Sequence, residues 1–274
     1  MNLEDSLGDI LRKARTSTHT SPEAAAAAAG LSVDAYAEFE RTGTPPSGTQ
    51  FGPLGDLLTL NGPRLEAQSR GWRPQPVDLS QWQRLEVITT AGEDMTVNAF
   101  LIWDPVSRQA ALFDTGFTAG PIQERIQAEG LRFEYLFITH SHYDHVMALG
   151  ELRRLNPAVR VRSGSTQVPV EQRLVPDSQF EVGSLKVTHR PTPGHAVDGV
   201  TYRITGWAGG APPVVVVGDA LFAGSIGGAR DQLPLARDRV WGEIFVQPDA
   251  TLVCPGHGPL TTVGQEKANN PWFL

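Results

Sequence analysis

The sequence predicts an α/β protein: two mixed sheets with helices outside, preceded by a small all-α domain. Two observations predict it. Over the first seventy-odd residues, apolar side chains recur at helical spacing between cap and stop signals. From Leu85 onward, short strand-like runs alternate with helical stretches, and several consecutive runs look hairpin-linked, which favours mixed over purely parallel sheets. The division is a helical domain over 1–73, a linker over 74–84 and an α/β domain over 85–274.

Each element has its own signal. Leu3, Leu7, Ile10 and Leu11 form one face of a first helix. Ser21-Pro22-Glu23 starts a second, with Ser as cap and Pro at the first helical position. The alanine run 24–29 follows and stops at Gly30. Ser32 caps a third helix over 33–40; residues 42–48 form a loop, and a short helix lies near 54–60. Two prolines and a glycine break 70–76 into a linker. Strands are expected at 85–90, 97–103, 110–113, 135–138, 159–161, 185–189, 200–204, 214–217 and 251–253. Helices are expected at 121–129, 146–155 and near 235–244.

Composition excludes several classes. With 274 residues and 40% hydrophobic content, the chain is neither wholly disordered nor too small for a core. Lys+Arg number 23 against 30 Asp+Glu, a net charge of −7, which argues against a nucleic-acid binder as a whole. Cys254 is the single cysteine, so an internal disulfide framework is excluded. Early acids (Glu4, Asp5, Asp9) argue against a signal peptide, and the apolar run 212–217 is too short to span a bilayer. A cytoplasmic protein is the expectation.

The chemistry concentrates in Thr139-His140-Ser141-His142-Tyr143-Asp144-His145, directly after the strand at 135–138. In extended chain, residues two apart point the same way, so His140 and His142 can converge on one metal ion. Asp144 and His145 follow at the start of the next helix, available to a second. Imidazole with carboxylate suits zinc, iron or manganese. Pro193-Gly194-His195, Gly218-Asp219 and Pro255-Gly256-His257-Gly258-Pro259 each put a potential ligand on a loop after a probable strand. His189 and Cys254 read as structural, and His19 stands outside any metal spacing. The glycine-rich stretch 224–228 lacks the ending of a phosphate loop and is expected to line the substrate entrance.

In this order, HxHxDH, PGH, an aspartate after a strand and PGHG resemble the metallo-β-lactamase fold superfamily. Residues 218–227, and the tail from Cys254 through Asn270-Pro271, resemble its glyoxalase II-like branch. The resemblance implies an αββα sandwich and two divalent metal ions, zinc, iron or manganese. It assigns His140, His142 and His195 to the first ion, Asp144, His145 and His257 to the second, and Asp219 between them. It puts Asp114, in Asp114-Thr115-Gly116, beside the site, where it would orient a ligand histidine; capping the turn after a strand is the other reading. The implied activity is hydrolysis of a thioester by a metal-bridging hydroxide, with Asp144 also shuttling the proton. Persulfide dioxygenase and lactonase are alternatives on the same fold. Glyoxalase II binds glutathione partly through a helical C-terminal extension. Only seventeen residues follow His257 here, so that site is expected to be missing or rebuilt.

The stretches 7–15, 21–30 and 32–43 resemble an Xre-like helix-turn-helix. Its recognition helix, between Ser32 and Glu40, carries Asp34, Glu38 and Glu40 and no Lys or Arg. Phosphate contact needs cations, so a DNA-binding regulator with a metal site is the lesser alternative. The expectation is a degenerate fold reused for homodimerisation or for packing over the active site, with a small-molecule substrate and neither nucleic acid nor membrane as partner.

Overall fold

The structure is a computed structural model describing residues 2–274. Five helices come first: α1 (Leu7–Ser17), α2 (Pro22–Ala29), α3 (Val33–Thr42), α4 (Phe51–Leu58) and α5 (Gly62–Ser69). The Ser21 and Ser32 side chains accept from Ala24 N and Ala35 N at 3.2 Å, as helix-capping serines do. Gly30 and Gly43 close α2 and α3 in the left-handed conformation.

The first sheet holds β1 (Leu85–Ala91), β2 (Thr96–Trp103), β3 (Gln109–Phe113), β4 (Arg132–Ile138) and β5 (Arg160–Ser163), in that spatial order. Its first three strands are antiparallel and its last three parallel. The second sheet contains β6 (Gln179–Val182), β7 (Leu185–Pro191), β8 (Val200–Thr205), β9 (Val214–Gly218), β10 (Leu252–Pro255) and β11 (Thr261–Thr262), ordered β11-β10-β9-β8-β7-β6. Only β9 and β10 pair in parallel there. Both sheets are mixed, as the hairpin spacing predicts. The remaining helices are α6 (Gly120–Ala128), α7 (Tyr143–Val146), α8 (Leu149–Leu155), α9 (Leu233–Arg239) and α10 (Val263–Asn269).

Period two explains the unbroken apolar runs, because these strands are covered on both faces. In β9, Val214 and Val216 enter the core between the sheets, while Val215 and Val217 face the helices outside. In β4, Tyr135 and Phe137 point inward and Leu136 and Ile138 outward. Cys254 lies in the inter-sheet core as a free, buried thiol, and burial pushes its pKa well up. The outer face of the second sheet shares one cluster with the N-terminal helices: Ile10, Leu11, Tyr36, Phe39, Leu54 and Leu58 pack with Val215, Val217, Val253, Trp272 and Phe273.

Four differences from the sequence reading have local causes. The helix expected at 146–155 is interrupted between α7 and α8. The His145 carbonyl accepts from Thr115 N (2.9 Å) and Thr115 Oγ1 (3.0 Å) instead of continuing a helical ladder. Helices α5 and α10 lie outside the expected set, although each starts at a capping side chain. Asn61 Oδ1 accepts from Arg64 N at 3.1 Å, and Thr262 Oγ1 accepts from Gln265 N at 3.3 Å. The short strands β6 and β11 carry too few alternating residues to announce themselves. Residues 224–227 are buried beneath the N-terminal region and Gly228 alone of that stretch is exposed, so most of this loop supports the site from below. Among the described residues, no helix is long and apolar enough to cross a membrane.

Candidate metal centre

Every sequence-predicted site residue follows the C-terminal end of a strand. Asp114 leaves β3, His140 leaves β4, His195 comes after β7, Asp219 follows β9 and His257 follows β10. His142 extends from His140, and Asp144 and His145 sit on α7. The loops bring all eight to one end of the sandwich.

Three overlapping groups have ligand atoms within 4.8 Å of one another: His140 with His142 and His195; His140 with His145 and Asp219; Asp144 with His145 and His257. His142 Nδ1 lies 3.0 Å from His140 Nε2 and 3.0 Å from His195 Nε2. Asp144 Oδ2 stands 3.1 Å from His257 Nε2 and 3.5 Å from His145 Nε2. Asp219 faces both halves: Oδ2 is 3.4 Å from His195 Nε2 and 3.5 Å from His257 Nε2, and Oδ1 is 3.3 Å from His145 Nε2.

The surrounding bonds decide which ring nitrogen looks inward. His145 Nδ1 donates to Asp114 Oδ2 at 2.8 Å, His257 Nδ1 to the Thr96 carbonyl at 2.6 Å and His195 Nδ1 to the Gly228 carbonyl at 3.1 Å. Thr139 Oγ1 donates to Asp114 Oδ2 at 2.7 Å, so it accepts from His140 Nδ1 at 3.1 Å. Four imidazoles therefore present unprotonated Nε2 atoms to the centre when neutral, the tautomer a metal ligand needs. Asp114 holds Thr139 and His145 from a left-handed backbone (φ 60°) while its Oδ1 takes Thr139 N at 2.7 Å. Gly256 is required by crowding, since a Cβ there would strike Asp219 Oδ1 and the His145 ring.

The electrostatics match this crowding. Burial, then the field of His145, holds the His140 pKa far below its ordinary value. Burial opposes charge on His257, yet its bond to Asp144 and the field of Asp219 bring it up to about 9. Burial would raise Asp219, but the surrounding histidines hold it well below the usual carboxylate range.

The donor set fits divalent cations. His145 Nε2 and Asp219 Oδ1 are buried and have no hydrogen-bond partner among the described residues. Two such orphaned atoms 3.3 Å apart are costly unless something of positive charge satisfies both. Around His142, two inward Nε2 lone pairs face one Nδ1, and a single proton cannot serve both contacts. Five imidazoles and two carboxylates suit zinc, iron or manganese.

Strand-end ligand loops on paired mixed sheets agree with a direct sequence comparison: a family profile described as "Metallo-beta-lactamase superfamily" matches residues 92–257. The chain belongs to the metallo-beta-lactamase superfamily. Among its superfamily relatives is a probable metallo-hydrolase, YqgX of Bacillus subtilis, 28% identical over 70% of this chain and 97% of that protein. Hydroxyacylglutathione hydrolase GloC of Haemophilus influenzae is 28% identical over 64% of this chain and 92% of its own length. Among solved structures, the BLEG-1 B3 metallo-beta-lactamase superposes with a TM-score of 0.58 at 26% identity, covering 68% of this chain and 99% of that one. TTHA1623 in a di-iron-bound form gives 0.51 at 26% identity, covering 68% and 100%.

Sequence reasoning missed the supports contributed by backbone. The Thr96 and Gly228 carbonyls that orient His257 and His195 carry no side-chain signal. Packing of the N-terminal region over the site is one of the two expectations the sequence raises for that region, but it names none of the residues that approach. Glu4 backbone packs against Gly258, and burial lifts the Glu4 carboxyl above its ordinary value beside His257, Asp5 and Asp219. Lys13 Nζ donates to Asp5 Oδ2 (2.6 Å) and to the Ile226 carbonyl (3.1 Å), and sits 5.3 Å from the centre of the Phe222 ring.

Proposed function

We infer that this metal-dependent hydrolase uses a pair of divalent cations to cleave a thioester or a related ester. The observation that carries the reading is the Asp219 carboxylate lying between two histidine sets whose inward nitrogens are fixed by outer bonds. His140, His142 and His195 would hold one cation, Asp144, His145 and His257 the other, and Asp219 both. When bound, such a pair supplies a Lewis acid for the carbonyl and a water-derived nucleophile near neutral pH.

The chain's own residues do the rest. Asp114 keeps His145 turned inward and holds Thr139, which in turn orients His140. The exposed stretch Ser141-His142-Tyr143 gives the substrate its approach, and Phe222 packs on His257, ring centres 5.9 Å apart. Asp144 Oδ2, beside His257 Nε2, is placed to carry a proton between attack and collapse. A thiolate leaves without prior protonation more readily than an alkoxide, and relatives named hydroxyacylglutathione hydrolase support a thioester. The acidic α3 carries one cation, Arg41, beside Glu38 at 2.6 Å, a charge balance that disfavours DNA as its partner.

The test is turnover of S-lactoylglutathione and of a simple ester by chelated protein reloaded with zinc, iron or manganese. Metal-dependent turnover is expected, reduced at least about a hundredfold by His142→Ala. Turnover that survives chelation, or that His142→Ala leaves intact, contradicts the reading.

A further inference from the structure

A cavity of about 1100 Å³ lies between the chain at residues 71–79, strands β1 and β2, and residues 258–260. It lies on the outer, Nδ1 side of His257, and none of the candidate metal ligands lines it. Thr96, whose carbonyl holds His257, lines it, and so does Gly258. Its other walls are largely apolar: Trp72, Pro76, Val77, Val87 and Leu260. Val77, Val87 and Leu260 are half-buried and lean on the inter-sheet core, so the cavity continues that core outward.

Asn98, the buried polar side chain in the lining, is already spent. Its Nδ2 donates to the Pro255 carbonyl (3.2 Å) and the Gly258 carbonyl (3.1 Å). Its Oδ1 accepts from Thr89 Oγ1 at 2.8 Å. Arg73 is the one cationic side chain among the described lining residues, and it is exposed and bonded to the Trp72 carbonyl at 2.7 Å. Arg73, Asn2 and Gln75 are all exposed, so a carboxylate finds its partners at the rim and not on the inner walls. A hydrocarbon group finds a wall of rings and branched chains, in a volume just above the range of ordinary ligand pockets.

We propose that this cavity is the acyl pocket of the hydrolase and takes an uncharged aliphatic or aryl acyl group of medium length. The assignment rests on the hydrolase reading. It also gives the N-terminal region a role in selecting substrate, since the chain leaving α5 supplies the outer wall through Trp72.

The test uses the full-length, metal-loaded protein and a series of S-acylglutathiones from acetyl to octanoyl, so that the leaving group stays constant. kcat/KM is expected to rise up to about fourfold per methylene buried. Leu260→Trp, filling the cavity, is expected to flatten the series. Nile red provides a readout apart from turnover: the wild type binds it saturably, octanoylglutathione displaces it, and Leu260→Trp does not bind it. If Leu260→Trp fails to fold, the wild-type series and Nile red displacement still decide. Metal-dependent turnover that is flat with chain length, or Nile red that octanoylglutathione leaves in place, overturns the pocket and leaves the hydrolase reading standing. Displacement of Nile red without turnover of any ester or thioester contradicts the hydrolase reading instead.

Discussion

In the proposed metal centre, Asp114 stands outside the ligand set and would orient it. One carboxylate takes Thr139 N, Thr139 Oγ1 and His145 Nδ1, each at 2.7–2.8 Å. Asn tolerates its left-handed backbone (φ 60°) nearly as well as any non-glycine residue, so Asp114→Asn isolates the charge and the acceptor pattern. Metal affinity is expected to fall about 10–100-fold, measured by competition with a chromophoric chelator; unchanged affinity contradicts the orienting role. Glu266 gives a second expectation at this scale. Burial pushes its carboxyl up to about 7 although Gly224 N, Thr261 Oγ1 and Asn270 Nδ2 all donate to it. A carboxyl raised on folding contributes stability below its unfolded value, near 4.5, and loses it as pH rises through about 7. Relative to Glu266→Gln, the wild type should therefore lose up to about 3 kcal/mol between pH 4.5 and pH 7. Denaturation midpoints of both proteins at pH 5 and pH 8 check this, and a pH-independent difference contradicts it.

Helices α1 and α3 meet at Gly8, where a Cβ would collide with the Glu40 carbonyl. The same contact is clamped by Arg15, whose Nε and Nη2 reach Glu40 Oε1 (2.6 Å) and Oε2 (3.0 Å). Gly8→Ala must push the helices apart, and a loss of about 1–3 kcal/mol is expected in chemical denaturation; wild-type stability contradicts this close packing. Elements with a local signature were legible in the sequence. Ser21 and Ser32 cap the helices they announce, and the apolar runs of β2, β4, β9 and β10 are strands buried on both faces. The loops that carry the proposed ligands were legible for a different reason: their histidines and aspartates stand at close spacing directly after apolar strand runs. What the sequence withheld depends on distant partners. Thr115 interrupts the helix after His145 from thirty residues away, and Asn98 ties β2 to the loop after His257 across more than 150 residues.

At the scale of the whole molecule, the N-terminal helices, the outer face of the second sheet and the C-terminal Trp272 and Phe273 share one apolar cluster. Polar ties reinforce it: Gln68 Nε2 donates to the Gly224 carbonyl at 2.7 Å, and Arg64 donates to the Asn270 carbonyl at 2.9 Å. The loop that supports His195 is thus pressed between the helical region and the second sheet, which fixes the centre on a scaffold assembled from both ends of the chain. Bonds from outside the centre fix its side chains, and the buried His145 Nε2 and Asp219 Oδ1 mark where a positive charge belongs. The most direct measurement is the metal content of the full chain after reloading and dialysis, by elemental analysis, beside His257→Ala. Two equivalents per wild-type chain and about one in His257→Ala are predicted; one or none in the wild type would contradict the paired centre.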